Sequence, residues 1–159
     1  MKKTVMLFHL ALILCVSFAL PSTSLAWRGK VASVIDGDVI KVRHGKKVEK
    51  VKLYGIDAPE MKQNFGRVSK EYVASLIAGR VVDVDSKDID RHGRTVALVF
   101  VNGDCVNELA VKNGYAWVDR QYCSEIFCSR WIDDEEMARY GGIGMWSDPY
   151  ISVPHWQQQ

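Results

Sequence analysis

Beyond residue 30, short apolar runs alternate with charged positions, and the period changes along the chain. Residues 31–34, 39–43 and 48–54 are rich in valine, isoleucine and leucine and read as β-strands, with His44-Gly45-Lys46-Lys47 as the hairpin loop between the second and third. Val68, Tyr72, Val73 and Leu76 then recur at helical spacing, predicting a helix over 63–78 that Gly79 closes. Strand patterns return at 81–84 and 96–101, separated by a polar loop at 88–94. Asn102-Gly103 is a hairpin turn into Cys105-Val106. A short helix over 107–113 is stopped by Gly114, and a last helix over 129–140, with Ser129 as N-cap, ends before Gly141-Gly142. Residues 147–159 hold Pro149 and Pro154 and show no period. Five strands, with a helix after the third and helices at the end, predict an α+β chain that is mainly β. The expected architecture is a five-stranded OB-type Greek-key barrel with about three helices. Such barrels host many ligands, so the fold alone decides little about function.

The start of the chain follows a different rule. Met1-Lys2-Lys3 is basic, residues 5–20 are almost wholly apolar, and Ser24 and Ala26 are small. This is the pattern of a secretory signal peptide over 1–26, cleaved after Ala26. The alternative is an uncleaved anchor, against which the polar interruptions His9 and Ser17 and the small-residue site both argue. Leu14 before Cys15 speaks against a lipoprotein signal. Removing 26 of the 159 residues leaves 133, with a domain at 27–146 and an irregular tail after it. The expected product is exported, periplasmic or secreted, a monomer with no stable membrane anchor.

Cleavage also changes the charge balance. The chain has 21 Lys+Arg against 19 Asp+Glu, and Lys2 and Lys3 leave with the leader. Bulk charge therefore gives no support to polyanion binding, which would need a local basic patch. Cys15 also leaves. Cys123 and Cys128 stand close enough to close a small loop, and export supplies oxidising conditions for that bridge. Cys105 is left over. Three reduced cysteines are the alternative, and no second Cys/His pair has the spacing of a zinc site.

The chemistry concentrates between residues 36 and 60. If the strands at 39–43 and 48–54 pair, Asp38, Asp57 and Glu60 meet at one rim, where three carboxylates repel unless cations lie between them. Asp38 and Asp57 are hard oxygen donors suited to calcium, magnesium or manganese. Glu60 stands where a general base would hold water. Lys52 lies mid-strand, and Arg94 ends the loop Asp90-Arg91-His92-Gly93-Arg94, where it could clamp a phosphate. Singly, each residue is ordinary: aspartate beside glycine is common in turns, and one lysine or arginine usually faces solvent. Together they form the set that phosphodiester hydrolysis requires.

In order and spacing, four motifs make the chain resemble the thermonuclease, or staphylococcal-nuclease-like, family over residues 29–146. They are Val34-Ile35-Asp36-Gly37-Asp38, Leu53-Tyr54-Gly55-Ile56-Asp57-Ala58-Pro59-Glu60, Asp90-Arg91-His92-Gly93-Arg94 and Val106-Asn107-Glu108-Leu109. Gly114-Tyr115-Ala116-Trp117-Val118 with Tyr122-Cys123 is similar to the exported bacterial branch. The resemblance implies a calcium-dependent OB-fold nuclease acting on DNA and RNA. It implies Asp38, Asp57 and the backbone carbonyl of Ala58 as calcium ligands, with Mg2+ or Mn2+ as other candidates. It further implies Glu60 as general base, Lys52 and Arg94 as the cations that stabilise the transition state, and Asn107 and Glu108 as braces. Single-stranded or unpaired substrate is expected, with Arg91 and His92 as further nucleic-acid contacts. Two positions depart from the family: Lys52 replaces the usual arginine and Val39 a usual hydroxyl residue. Lysine loses the planar two-pronged grip, and valine cannot hydrogen-bond a neighbouring carboxylate. These departures keep a second reading open, a weakened or inactive nucleic-acid- or protein-binding module. An exported structural domain is the third.

Overall fold

Antiparallel pairing of alternating strands builds the barrel. β1 (Leu25–Val34), β2 (Val39–His44) and β3 (Lys47–Leu53) pair in succession, with Val31 opposite Val42 and Ile40 opposite Val51. β5 (Val81–Ile89) returns beside β1, and β6 (Thr95–Val101) pairs antiparallel with β5. β6 then meets β3 in parallel, from Val51–Thr95 to Leu53–Ala97, which closes the five strands into an OB-type barrel. The computed structural model describes residues 25–151 and Pro154. Of the expected leader, residues 1–24 lie outside the described residues, as do 152–153 and 155–159 of the tail.

Period-two alternation turns Val31, Ile40, Val42, Val51, Leu53, Val82, Val84 and Val99 into the barrel, all almost fully buried. Burying each such side chain stabilises the fold by about 1.5–3 kcal/mol relative to exposure. α1 (Gly66–Ile77) adds Val73 and Ile77 to this core. α2 (Val106–Lys112) adds Val106, Ala110 and Val111, and α3 (Cys128–Tyr140) adds Trp131. Two short pairings complete the frame: β7 (Asp104–Cys105) extends β6, and β4 (Ile56–Asp57) pairs with β8 (Trp117–Val118). A 3-10 turn at Gly144–Ser147 follows α3.

Several boundaries differ from expectation. β1 begins at Leu25 rather than 31, because its first half pairs with β5 from Leu25–Ser86 to Lys30–Val81, a partner that Arg28-Gly29-Lys30 does not announce. β5 runs on to Ile89 through a register shift between Ser86 and Asp88, so the polar loop shrinks to 90–94. α1 starts at Gly66, not 63, since Gln63 closes a turn with its N–H on the Glu60 carbonyl. Ser129 does not cap α3: Phe127 holds the N-cap position, and the Ser129 hydroxyl donates to the carbonyl of Ile126. Asn102 and Gly103, at φ 54° and 92°, do make the turn from β6 to β7.

Candidate active site

The β2–β3 register sets the first contact. Val39 lies opposite Lys52, so Asp38, one residue earlier, comes within reach of the Lys52 side chain. The Lys52 ammonium donates directly to Asp38 Oδ2 and stands 3.6 Å from Asp57 Oδ1. The N–H of Ala58 also donates to Asp38 Oδ2, at 3.1 Å. Burial works against the Lys52 charge, but Asp38 and then Asp57 outweigh it and hold the ammonium above its usual range. Next to this pair, Asp36 accepts the Asp38 N–H at 3.2 Å, and burial together with the Asp38 charge pushes its carboxyl up to about 6.

Gly37 works by close approach. A Cβ there would lie 2.6 Å from the Ala58 Cβ and 2.9 Å from the Ser69 Cβ, so its absence lets the Asp36–Asp38 turn seat against the loop that follows β4. Glu60 leaves that loop exposed on the rim. Its N–H donates to Gln63 Oε1 at 2.7 Å, and its carbonyl lies where a Cβ on Gly66 would be only 1.9 Å away. The start of α1 thus holds the backbone that carries Glu60.

Across the cleft, residues 90–94 form a turn around Asp90. Its Oδ1 accepts the N–H groups of His92 at 2.8 Å and Arg94 at 3.0 Å, while Oδ2 takes the Arg94 Nε at 2.5 Å. Burial opposes ionisation of Asp90, but the Arg94 N–H and guanidinium and the His92 N–H together hold its carboxyl below the usual range. Asp90 therefore orients Arg94. Arg91 and His92 are exposed at the tip, with Arg91 Nε donating to His92 Nε2 at 3.2 Å.

The eight residues expected to hold metal, phosphate or nucleotide line one open cleft of about 1150 Å³: Asp38, Lys52, Asp57, Ala58, Glu60, Arg91, His92 and Arg94. Asp38 and Asp57, with a cation already between them, have the donor chemistry of a hard divalent ion. Among the described residues no cluster of three His, Cys, Asp or Glu side chains is close enough to hold a metal, so water, backbone or substrate oxygens must complete any coordination shell.

Four supports lie behind the cleft. Buried Asn107 donates to the carbonyls of Tyr54 and Ala97 and accepts the Val99 N–H, tying the end of β3 to β6. Glu108, its neighbour, pairs with Arg130 of α3 at 2.7 Å. Buried Glu135 accepts the Val118 N–H at 2.9 Å and pairs with Arg120 at 3.0 Å, bracing β8, the partner of Asp57. Cys123 and Cys128 form a disulfide whose Cys123 sulfur would lie 2.7 Å from a Cβ on Gly55, while Cys105 is a free thiol. The sequence pattern assigns no role to Asp90, although it heads the 90–94 motif, and none to Glu135. The Asp-x-x-Gly turn pattern was the signal for the first, and the Trp131, Glu135, Ala138 spacing on one helix face was the signal for the second.

A family model described as "Staphylococcal nuclease homologue" matches residues 50–148. The chain belongs to the staphylococcal nuclease family. An "Uncharacterized endonuclease" of Escherichia coli O157:H7 is 38% identical over 140 residues, covering 87% of this chain and 89% of that protein. The "Micrococcal nuclease" of Shigella flexneri is 34% identical over 141 residues, 81% of this chain and 80% of its own. "Protein ParB" of Escherichia coli is 38% identical over 154 residues, 86% and 84% respectively. Within this staphylococcal nuclease family chain, the cleft gathers acids from the β2 and β4 ends and cations from β3 and the 90–94 turn.

Proposed function

We propose that the protein is an exported, metal-dependent nuclease that hydrolyses phosphodiester bonds of DNA and RNA with little sequence preference. One observation carries this reading: in a staphylococcal nuclease family chain, two acids, a rim glutamate and two cations line the same cleft. Asp38 and Asp57 are the side chains to hold calcium, with the Ala58 carbonyl as a third donor. Calcium bound there supplies positive charge beside the scissile phosphate. Glu60, exposed on the rim, takes the proton of the attacking water. Arg94, oriented by Asp90, and Lys52 offset the charge that builds on the phosphate oxygens. Arg91 and His92 add contacts to unpaired nucleotides, and the protein acts as a monomer.

The experiment is hydrolysis of denatured DNA by the protein in calcium and in excess chelator, with Glu60→Gln beside it. Cleavage that needs both calcium and Glu60 is expected, and undiminished turnover by Glu60→Gln removes Glu60 from the mechanism. One observation favours a second reading, a binding module without turnover: the Lys52 ammonium already neutralises Asp38. Folded protein that binds single strands but cleaves in neither calcium, magnesium nor manganese would favour it.

A further inference from the structure

One wall of the cleft hangs from a disulfide. Asp119, Gln121 and Tyr122 line the cleft, and the chain then runs through Cys123 to Cys128, the first residue of α3. Gln121, Tyr122, Ser124, Glu125 and Ile126 are exposed, Ile126 to 94%. A segment that buries so few side chains opens easily unless its backbone and cross-links hold it. At its start, the Asp119 N–H donates to the Gly55 carbonyl at 2.9 Å, and the Asp119 carbonyl accepts the Cys123 N–H at 2.8 Å. Further on, the Ser124 N–H donates to the Tyr54 hydroxyl oxygen at 3.1 Å. The Cys123 sulfur also packs on the backbone that leads to Asp57: a Cβ on Gly55, two residues earlier, would lie 2.7 Å from it.

Two thiols cannot stay at bonding distance, so reduction has to move one sulfur. Cys128 is 4% exposed and packed in the core at the start of α3, whereas Cys123 is half-buried on the loop. Cys123 is therefore the one that moves, away from Gly55, and Tyr122 and Ser124 move with it. The barrel does not depend on this bond, because no cysteine lies in β1 to β6.

We propose that the Cys123–Cys128 disulfide is a redox switch on the cleft: oxidised, it fixes the Asp119–Tyr122 wall for nucleotide binding, and reduced, it releases that wall while the barrel stays folded. The inference rests on the nuclease reading for its substrate. A thiolate of a dithiol reductant attacks the more accessible Cys123 sulfur, the bond to Cys128 breaks, and Cys128 leaves as a thiolate that takes up a proton. The second thiol of the reductant then displaces Cys123, which is protonated in turn. The protein gains two electrons and two protons, and the dithiol becomes a disulfide. Thiols stay reduced in the cytosol and pair in exported proteins. An exported nuclease with this switch is weak before export and competent after it.

The test compares the oxidised protein with the same protein reduced by dithiothreitol. Binding of a fluorescent oligodeoxythymidine about 6 nucleotides long is measured in excess chelator, and hydrolysis of denatured DNA in calcium. If the released wall keeps its binding position about one-tenth of the time, affinity falls about tenfold, because apparent affinity scales with the competent fraction. Cys123→Ser/Cys128→Ser should bind as the reduced protein does, with or without dithiothreitol, and Cys105→Ser should keep the full response. Equal affinity in the two redox states, or no binding in either, overturns the switch. So does a response that persists in the double variant or vanishes in Cys105→Ser. A reduced protein that has melted at the assay temperature, read by circular dichroism, also overturns it, because the bond then staples the whole fold. Binding is read without turnover, so the two readings separate. Cleavage in calcium with equal affinity and rate in both states sinks the switch alone. A redox response in binding by a protein that never cleaves sinks the nuclease reading alone.

Discussion

The ammonium of Lys52 stands between Asp38 and Asp57, with its side chain only 20% exposed. A calcium ion held by the same two carboxylates would compete with the ammonium for them. Lys52→Gln should therefore bind calcium more tightly than the unaltered protein, measured by calorimetry without substrate. Equal or weaker binding would mean that the ammonium does not stand in the ion's position. Arg94 presents a different dependence, because its orientation rests on Asp90. Asp90→Asn keeps an acceptor for the His92 and Arg94 N–H groups but removes the charged partner of the guanidinium. Loss of one charge-assisted bond costs about 1.5–3 kcal/mol, so hydrolysis of single-stranded DNA should slow by roughly 10–150-fold. An unchanged rate would show that Arg94 is held by other means.

Helix α1 begins at a close approach to the Glu60 carbonyl that only a glycine at 66 permits. Phe65 precedes it at φ 71°, an uncommon value for a side chain of that size, and its ring lies 6.1 Å from Tyr115, which stacks on Tyr72 at 3.9 Å. Gly66→Ala would press its methyl into the Glu60 carbonyl. Overpacking of this kind costs about 1–3 kcal/mol. The expected result is a lower melting temperature and, well below it, a loss of hydrolysis from displacement of Glu60. A variant that melts early but cleaves at the original rate would uncouple the helix start from the rim. The helix was legible from the recurrence of Val68, Tyr72, Val73 and Leu76. Its first residue was not, because Gln63 and the 1.9 Å approach at Gly66 involve the preceding loop rather than the helical period.

Across the fold, positive and negative residues nearly balance, yet one acid is buried where the last helix meets the barrel. Burial raises the Glu135 carboxyl above its usual range, and the Val118 N–H and Arg120 offset this only in part. A raised carboxyl means that the native state holds its proton to higher pH than the unfolded chain does. Its contribution to stability is therefore fully present below the unfolded value and is lost as pH rises through the folded one. Relative to Glu135→Gln, the unaltered protein should lose stability across that window, read as melting temperature against pH. A constant difference between the two would show that Glu135 titrates alike in both states.

Alternation and turn residues were enough to predict the strand segments, the hairpins at Gly45 and Asn102-Gly103, and an α+β chain that is mainly β, since each depends on residues near in sequence. Motif spacing was likewise enough to name Asp38, Lys52, Asp57, Glu60 and Arg94. The cleft that joins them required contacts with no local signature. The closure of β3 on β6 joins residues 44 positions apart at Val51–Thr95, and the β4–β8 pair joins Ile56 to Val118. The same holds for Glu135 behind Asp57, the Cys123 sulfur over Gly55, and the Lys52 ammonium placed between two acids. A local pattern decides which face a side chain takes. What it meets there depends on the packing of distant segments, and so does the charge state it keeps.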